Sequence, residues 1–301
     1  VFYTYNADNL RRVKTGDGGM LDRVDTLGEY AVKYSDDNGR TWSKQRWFIP
    51  VRETTIDRAN PYAGKVRFFW GVGKPIAARR GMYLGFSKIG RLDEGFLALT
   101  ESWFLHGPNI DWVDDPAEIK WQTLPEGDCG LTAPEGPIAE EVNLTELSDG
   151  SLFCTYRTVA GHPCHAYSGD GGKSWTPPEF MTYRPGGQRV AHPRAANFVR
   201  KLTHGKHAGK YVYWFHNHNR RDYQKRNPAY LLGGVEHDTL EGKVIHWGRP
   251  IAVLYAKDPQ VRISYPDFIE DGGKLFITET QKTVARVHEI PAPLLDELWS
   301  Q

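Results

Sequence analysis

Residues 140–175 read EEVNLTELSDGSLFCTYRTVAGHPCHAYSGDGGKSW and combine two arrangements with chemical consequences. Glu140 and Glu141 open an apolar/polar alternation that closes on Arg157. Adjacent acids at the entrance to an apolar strand are uncommon. With a guanidinium at the far end they form a candidate set for proton transfer and anion binding. The second arrangement is residues 168–175, of the form S-x-D-x-G-x-(S/T)-W, which recurs at residues 35–42. Here the acid accepts hydrogen bonds from its own turn, the glycine allows a positive φ, and the Trp packs beneath. Such a turn staples a hairpin and is not itself catalytic. His216-Asn217-His218 places two imidazoles two residues apart, but no acid or third His stands with them, so no metal site is expected. Gly71-Val72-Gly73-Lys74 lacks the spacing of a phosphate loop.

The elements that must hold these groups are strands. Ten Trp and fifteen Tyr, with 31 Gly and 19 Pro in 301 residues, favour short strands and tight turns. Strand patterns recur at residues 1–5, 29–34, 66–70, 82–86, 96–100, 151–158, 165–168, 211–216, 229–235, 251–255, 274–279 and 284–290. The one helical pattern is at residues 294–299. No linker or low-complexity stretch divides the chain, so residues 1–301 are read as one all-β domain. A four-stranded unit of roughly 45 to 50 residues, repeated around an axis, predicts a propeller of about six blades. Trp247-Gly248-Arg249-Pro250 reads as the end of a third, degenerate turn.

Composition narrows the partners. A formal net charge of +1 argues against nucleic acid or a membrane surface, and no apolar run is long enough for a membrane span. Cys129, Cys154 and Cys164 are too few for a disulfide framework and lack structural-zinc spacing. Cys154 and Cys164 flank one predicted hairpin as free thiols. Cysteine usage leaves the compartment undetermined, with a secreted or periplasmic location slightly favoured. The chain opens at Val1 with no Met and no signal-like stretch, so a preceding segment is expected.

The two turns resemble the Asp-box repeats of the sialidase superfamily, whose members are six-bladed β-propellers. The segment from Glu141 through Ser148-Asp149-Gly150 to Arg157 also resembles that family's N-E-x-Q-V-V-E-L-S-D-G…R run, with Glu140 where the family often has Asn. Ser264-Tyr265-Pro266-Asp267-Phe268 is similar to its late A-Y-S-D-L motif, and Arg226 stands where it places an arginine.

The resemblance implies a glycoside hydrolase acting on a terminal acidic sugar such as a sialic acid, with no cofactor. In that family a Tyr replaces the usual carboxylate nucleophile, since a neutral phenol is not repelled by a substrate carboxylate at the anomeric carbon. By resemblance Tyr265 is the nucleophile and Glu141 its base. Asp25, ten residues before Ser35, is the acid/base, with Asp22 as runner-up. Arg157 and Arg226 match two carboxylate-binding arginines. The family's first arginine motif is absent from this sequence, and Arg194 is a candidate substitute. Two rival readings use the same scaffold. One is a polysaccharide lyase acting on a uronate, with His162, His165 or His192 paired with a Tyr. The other is a glycan-binding propeller without catalysis.

Overall fold

The computed structural model describes residues 1–300 except 7, 8, 16, 23–27, 63, 70, 72, 94, 95, 223, 281 and 282. The described residues form an all-β propeller with five blades. Blade 1 pairs Phe2–Tyr5, Glu29–Val32 and Trp47–Phe48. Blade 2 is built on the long Gly81–Asp93 and Phe96–Gly107 hairpin, flanked by Phe68–Phe69, Ile76–Ala78 and Gln122–Leu124. Blade 3 runs in order through Glu140–Glu146, Leu152–Arg157, Cys164–Ser168 and Glu179–Phe180. Blade 4 contains Phe198–Lys201, Tyr211–Phe215, Ala229–Thr239, Gly242–Trp247 and Ile251–Leu254. Blade 5 contains Ser264–Asp271, Lys274–Thr280 and Ala285–Glu289. A two-stranded insert, Val13–Lys14 with Met20–Leu21, packs through Val13 and Leu21 onto blade 2.

The expected six blades are five because each repeat is longer than 45 to 50 residues. From Phe68 to Glu140, Glu140 to Phe198 and Phe198 to Ser264 the repeat is 72, 58 and 66 residues. Strands of 13 and 12 residues in blade 2 and the long segment 181–197 account for the excess.

Hydrophobic clusters join blade 1 to 2, 2 to 3, 3 to 4 and 4 to 5. Tyr30 and Val32 of blade 1 meet Phe68, Leu84 and Phe86 of blade 2. Tyr83 and Phe104 of blade 2 meet Leu144, Leu152 and Tyr156 of blade 3. Phe153 of blade 3 meets Tyr213 and Trp247 of blade 4, and Trp214 and Leu231 of blade 4 meet Phe268 and Ile277 of blade 5. A blade held between two neighbours is buried on both faces, so its alternation no longer marks a wet side. All six residues of Leu152–Arg157 are buried. The polar members of the alternation then bond between blades: Val199 donates to Asn143 Oδ1 at 2.8 Å, and Thr155 Oγ1 donates to Asn197 Oδ1 at 3.0 Å. Gly85 is required by this proximity, since a Cβ there would stand 2.5 Å from the Val142 carbonyl oxygen.

The two repeated turns share one hydrogen-bond pattern. In each, the serine hydroxyl donates to the aspartate (Ser35 to Asp37, Ser168 to Asp170, both 2.8 Å), and the glycine N–H returns to that serine. The aspartate also accepts from Thr41 or Ser174 through backbone and side chain. The tryptophans differ. Trp175 stacks on Phe104 of blade 2 at 4.7 Å, whereas Trp42 is exposed. The third expected turn is instead a tight hairpin, Thr239 Oγ1 donating to the Gly242 carbonyl, and Trp247 is core. Cys154 and Cys164 are buried free thiols offset by two residues, Cys154 opposite Ala166 and Cys164 opposite Tyr156. The carboxy-terminal helix spans Ala292–Glu297.

The hydroxyl and backbone N–H of Thr41, with Ser35, hold the Asp37 carboxyl down at about 2. Its folded value lies below the ordinary ~3.9, so its stabilisation is present above that value and is lost as pH falls toward 2. Between about pH 5 and pH 2, Asp37→Asn should therefore lose less stability than the wild type in urea titrations. Parallel pH slopes for the two proteins would contradict this role.

Candidate active site

Two local distortions aim the site. Pairing of Glu140–Glu146 with Leu152–Arg157 jumps register between Glu140 and Asn143, and Glu141 inside the bulge has φ +56°. Pairing of Ser264–Asp271 with Lys274–Thr280 jumps between Ser264 and Asp267, and Tyr265 has φ +51°. A left-handed conformation costs a non-glycine residue on the order of 1 kcal/mol or more, and persists only where the surroundings impose it. Bulges re-aim side chains, and these two point their residues at each other. Tyr265 Oη donates to Glu141 Oε1 at 3.4 Å, across 124 residues of chain.

Glu140 and Glu141 are both fully buried, and arginines gather around them. Arg157 Nε donates to Glu140 Oε1 at 2.9 Å and its Nη1 lies 2.7 Å from Glu141 Oε2. Arg194 Nε donates to the same Glu140 oxygen at 2.9 Å, and its Nη2 reaches the Leu97 carbonyl of blade 2. Arg226, buried before Ala229–Thr239, donates to Ser264 Oγ at 3.1 Å and lies over the Tyr265 ring at 5.8 Å. Blade 2 supplies one further tie: the Glu141 N–H donates to Ser87 Oγ at 3.3 Å.

This environment sets the proton affinities. Burial raises the Glu141 carboxyl above the ordinary range; Arg157 opposes the shift and the neighbouring Glu140 adds to it. The Glu141 charge, with burial, raises the Tyr265 hydroxyl, against Arg157 and Arg226. A carboxylate more basic than usual and a phenol within hydrogen-bond reach can exchange a proton when a reacting atom approaches.

Behind the arginines lies a pair of neutral imidazoles. His192 Nδ1 accepts the His216 backbone N–H at 3.2 Å, which assigns the proton to Nε2, and Nε2 donates to the Ala195 carbonyl beside Arg194. His216 Nδ1 donates to the carbonyl of Pro228, two residues after Arg226. Burial, then the other imidazole, push His192 well below its ordinary value, and burial holds His216 at about 3. The rings stack at 5.8 Å and fix the two arginine-bearing loops against each other.

Of the residues expected from sequence, Glu141, Tyr265, Arg157, Arg194 and Arg226 are brought together. Asp25 lies outside the described residues. Asp22, its alternative, is an exposed acid paired with Arg12 at 2.8 Å. The imidazoles a lyase would use are engaged elsewhere. His162 Nδ1 is bonded to the Val190 carbonyl, both nitrogens of His192 are occupied, and His165 is half-buried beside Phe153, its register partner Thr155 in the middle of a blade 3 strand. Among the described residues no group of three or more His, Cys, Asp or Glu could hold a metal ion. Sequence reasoning missed the part played by Glu140, which bridges Arg157 and Arg194; an acid doublet facing separated arginines was the signal. The His192–His216 link had no local signal at all.

No family model matches the chain, and no curated protein matches it. Solved structures do share its fold. The leech intramolecular trans-sialidase complexed with 2,7-anhydro-Neu5Ac aligns with a TM-score of 0.62 and 17% identity, over 89% of this chain and 37% of that one. The intramolecular trans-sialidase of Ruminococcus gnavus, in complex with oseltamivir carboxylate, gives 0.61 and 18%, over 89% and 51%. An exo-1,5-alpha-L-arabinanase from a bovine ruminal metagenomic library gives 0.51 and 12%, over 94% and 95%. The chain thus spans between a third and about half of the two sialidases' length, and at these identities the similarity is one of fold.

Removing Arg157 leaves two adjacent buried acids without their common partner, and breaking a buried pair costs about 3–5 kcal/mol. Arg157→Ala should lower stability by that order in urea unfolding, and adding Glu140→Gln should restore part of it. A loss below about 1 kcal/mol would show that the cluster is not held by this guanidinium.

Proposed function

We propose that this chain is a propeller glycoside hydrolase that removes a terminal, carboxylate-bearing sugar such as a sialic acid. The observation that carries the reading is the meeting of Tyr265 and Glu141, each on its own bulge, inside a cluster of arginines. The trans-sialidases and the exo-arabinanase that share the fold support a glycosidase. In the reaction Glu141 takes the phenolic proton as Tyr265 Oη attacks the anomeric carbon, a bond to the aglycone breaks, and a glycosyl–tyrosine forms. Water then releases the sugar with retention. The base must be ionised to act, and its raised proton affinity makes it strong enough to matter against a phenol. Asp25 is assigned the protonation of the leaving group, on its position ten residues before the first turn. Arg194 and Arg226, with Arg157 shared between the acids and the ligand, supply the field that receives the substrate carboxylate.

A neutral phenol suits this substrate, because an anionic nucleophile would meet the carboxylate on the carbon it attacks.

Hydrolysis of an aryl α-sialoside tests the reading. Tyr265→Phe should lower kcat by about 10²–10⁴. In the wild type kcat/KM should fall on the acid side with a pKa above the usual carboxylate value of about 4.3, and Glu141→Gln should remove that limb along with most of the activity. No turnover of aryl sialoside, with retained binding of the free sugar, would instead favour a glycan-binding propeller. An ultraviolet-absorbing product from uronate glycans would favour the lyase.

A further inference from the structure

The charge of this chain is unevenly placed. Three segments on the side of the propeller that carries the site, residues 181–197, 216–228 and 248–263 (the last including the blade 4 edge strand Ile251–Leu254), hold ten Arg or Lys and two Asp. The rest of the chain then has 28 basic and 35 acidic residues, although the whole is nearly neutral. Net charge alone conceals this asymmetry.

The three segments form one surface. The Arg194 N–H donates to the Asp222 carbonyl at 3.1 Å, joining the first to the second. Asn227 Nδ2 donates to the carbonyls of Ala256 and Asp258 at 2.7 and 3.0 Å, and Arg262 donates to the Gln224 side chain, joining the second to the third. The surface begins at the site itself, at Arg194 and Arg226, and extends outward over blade 4. Arg184, Arg221 and Lys257 are exposed, one on each segment. Of the two acids, Asp222 is already paired with Arg220 at 2.6 Å. Tyr255, 72% exposed, offers an aromatic face two residues from Lys257.

Like charges held side by side repel, and a field of one sign concentrates ligands of the other. We propose that this surface binds the continuing chain of an acidic oligosaccharide, so that the substrate carries carboxylates on several successive sugars and not only at its end. The inference rests on the glycosidase reading for its ligand class. The terminal sugar occupies the Tyr265–Glu141 site and its neighbours lie across segments 216–228 and 248–263.

The test is equilibrium binding to full-length Tyr265→Phe protein, with tetra-sialic acid and tetra-galacturonic acid as probes and the corresponding monosaccharides beside them. One tetramer should bind at least about tenfold tighter than its monosaccharide, and should lose most of that advantage between about 50 and 200 mM salt, as screening of exposed charges requires. The tetramer that does so identifies the sugar. Arg184→Glu/Arg221→Glu/Lys257→Glu should abolish the advantage with the melting temperature unchanged. Lys44→Glu/Lys120→Glu/Lys206→Glu, an equal charge change elsewhere, should keep it. Tetramers that bind no tighter than monosaccharides, or an equal loss in both triple variants, overturn the proposal. So does tighter capture of phosphatidylserine vesicles or duplex DNA at the same ionic strength. Salt-sensitive tetramer binding by a wild-type protein that hydrolyses no aryl glycoside would leave this surface standing and remove the catalytic reading. Hydrolysis without a tetramer advantage would do the reverse.

Discussion

One buried charge arrangement underlies the rest: Glu140 held between Arg157 and Arg194, with Glu141 on the other arm of Arg157. Taking two acids out of water is costly, and the cost is tolerable only where fixed cations meet them. That requirement sets positions on three parts of the chain. Arg157 must close the second strand of blade 3, Arg194 must arrive from the segment before blade 4, and the Leu97 carbonyl of blade 2 must anchor Arg194. A propeller suits this, because its inner strands approach each other closely and share no direct backbone ladder.

With the acids so placed, the strain at Glu141 and Tyr265 becomes affordable. Each left-handed residue interrupts a ladder that would otherwise run straight past the site. Ser87 and the Asn143–Val199 bond hold the blade 3 bulge from both sides, and Arg226 with Ser264 holds the start of the blade 5 strand. The neutral His192–His216 link works on a longer lever: it adds no charge to a crowded field while keeping two arginine loops in step. The site is therefore supported from four blades, and its proton affinities follow from burial and neighbours and not from any one bond.

The regular outer architecture plays a different part. The paired serine–aspartate turns close hairpins far from the chemistry, and they carry almost the same hydrogen bonds despite different settings. Only one tryptophan finds a neighbour to stack on, which shows that the turn is self-sufficient and the tryptophan contact is optional.

Sequence alone determined the all-β class, the two repeated turns and most strand positions in blades 2 to 5, and its resemblance to a known family raised the expectation that Glu141, Arg157 and Tyr265 share a site. These are legible because strand periodicity, turn chemistry and short motifs are local. The inner strands Phe198–Lys201 and Ser264–Asp271 escaped the strand reading, the first because it is only four residues long and the second because Pro266 and a bulge break its start. Only tertiary structure decided that the blades number five, because blade count depends on how long each strand pair runs before it turns. Only tertiary structure gave Glu140 its two arginines, put His192 against His216, and gathered the basic segments into one surface. Each of these is a meeting of residues far apart in the chain, and spacing along a sequence carries no record of distance across a propeller.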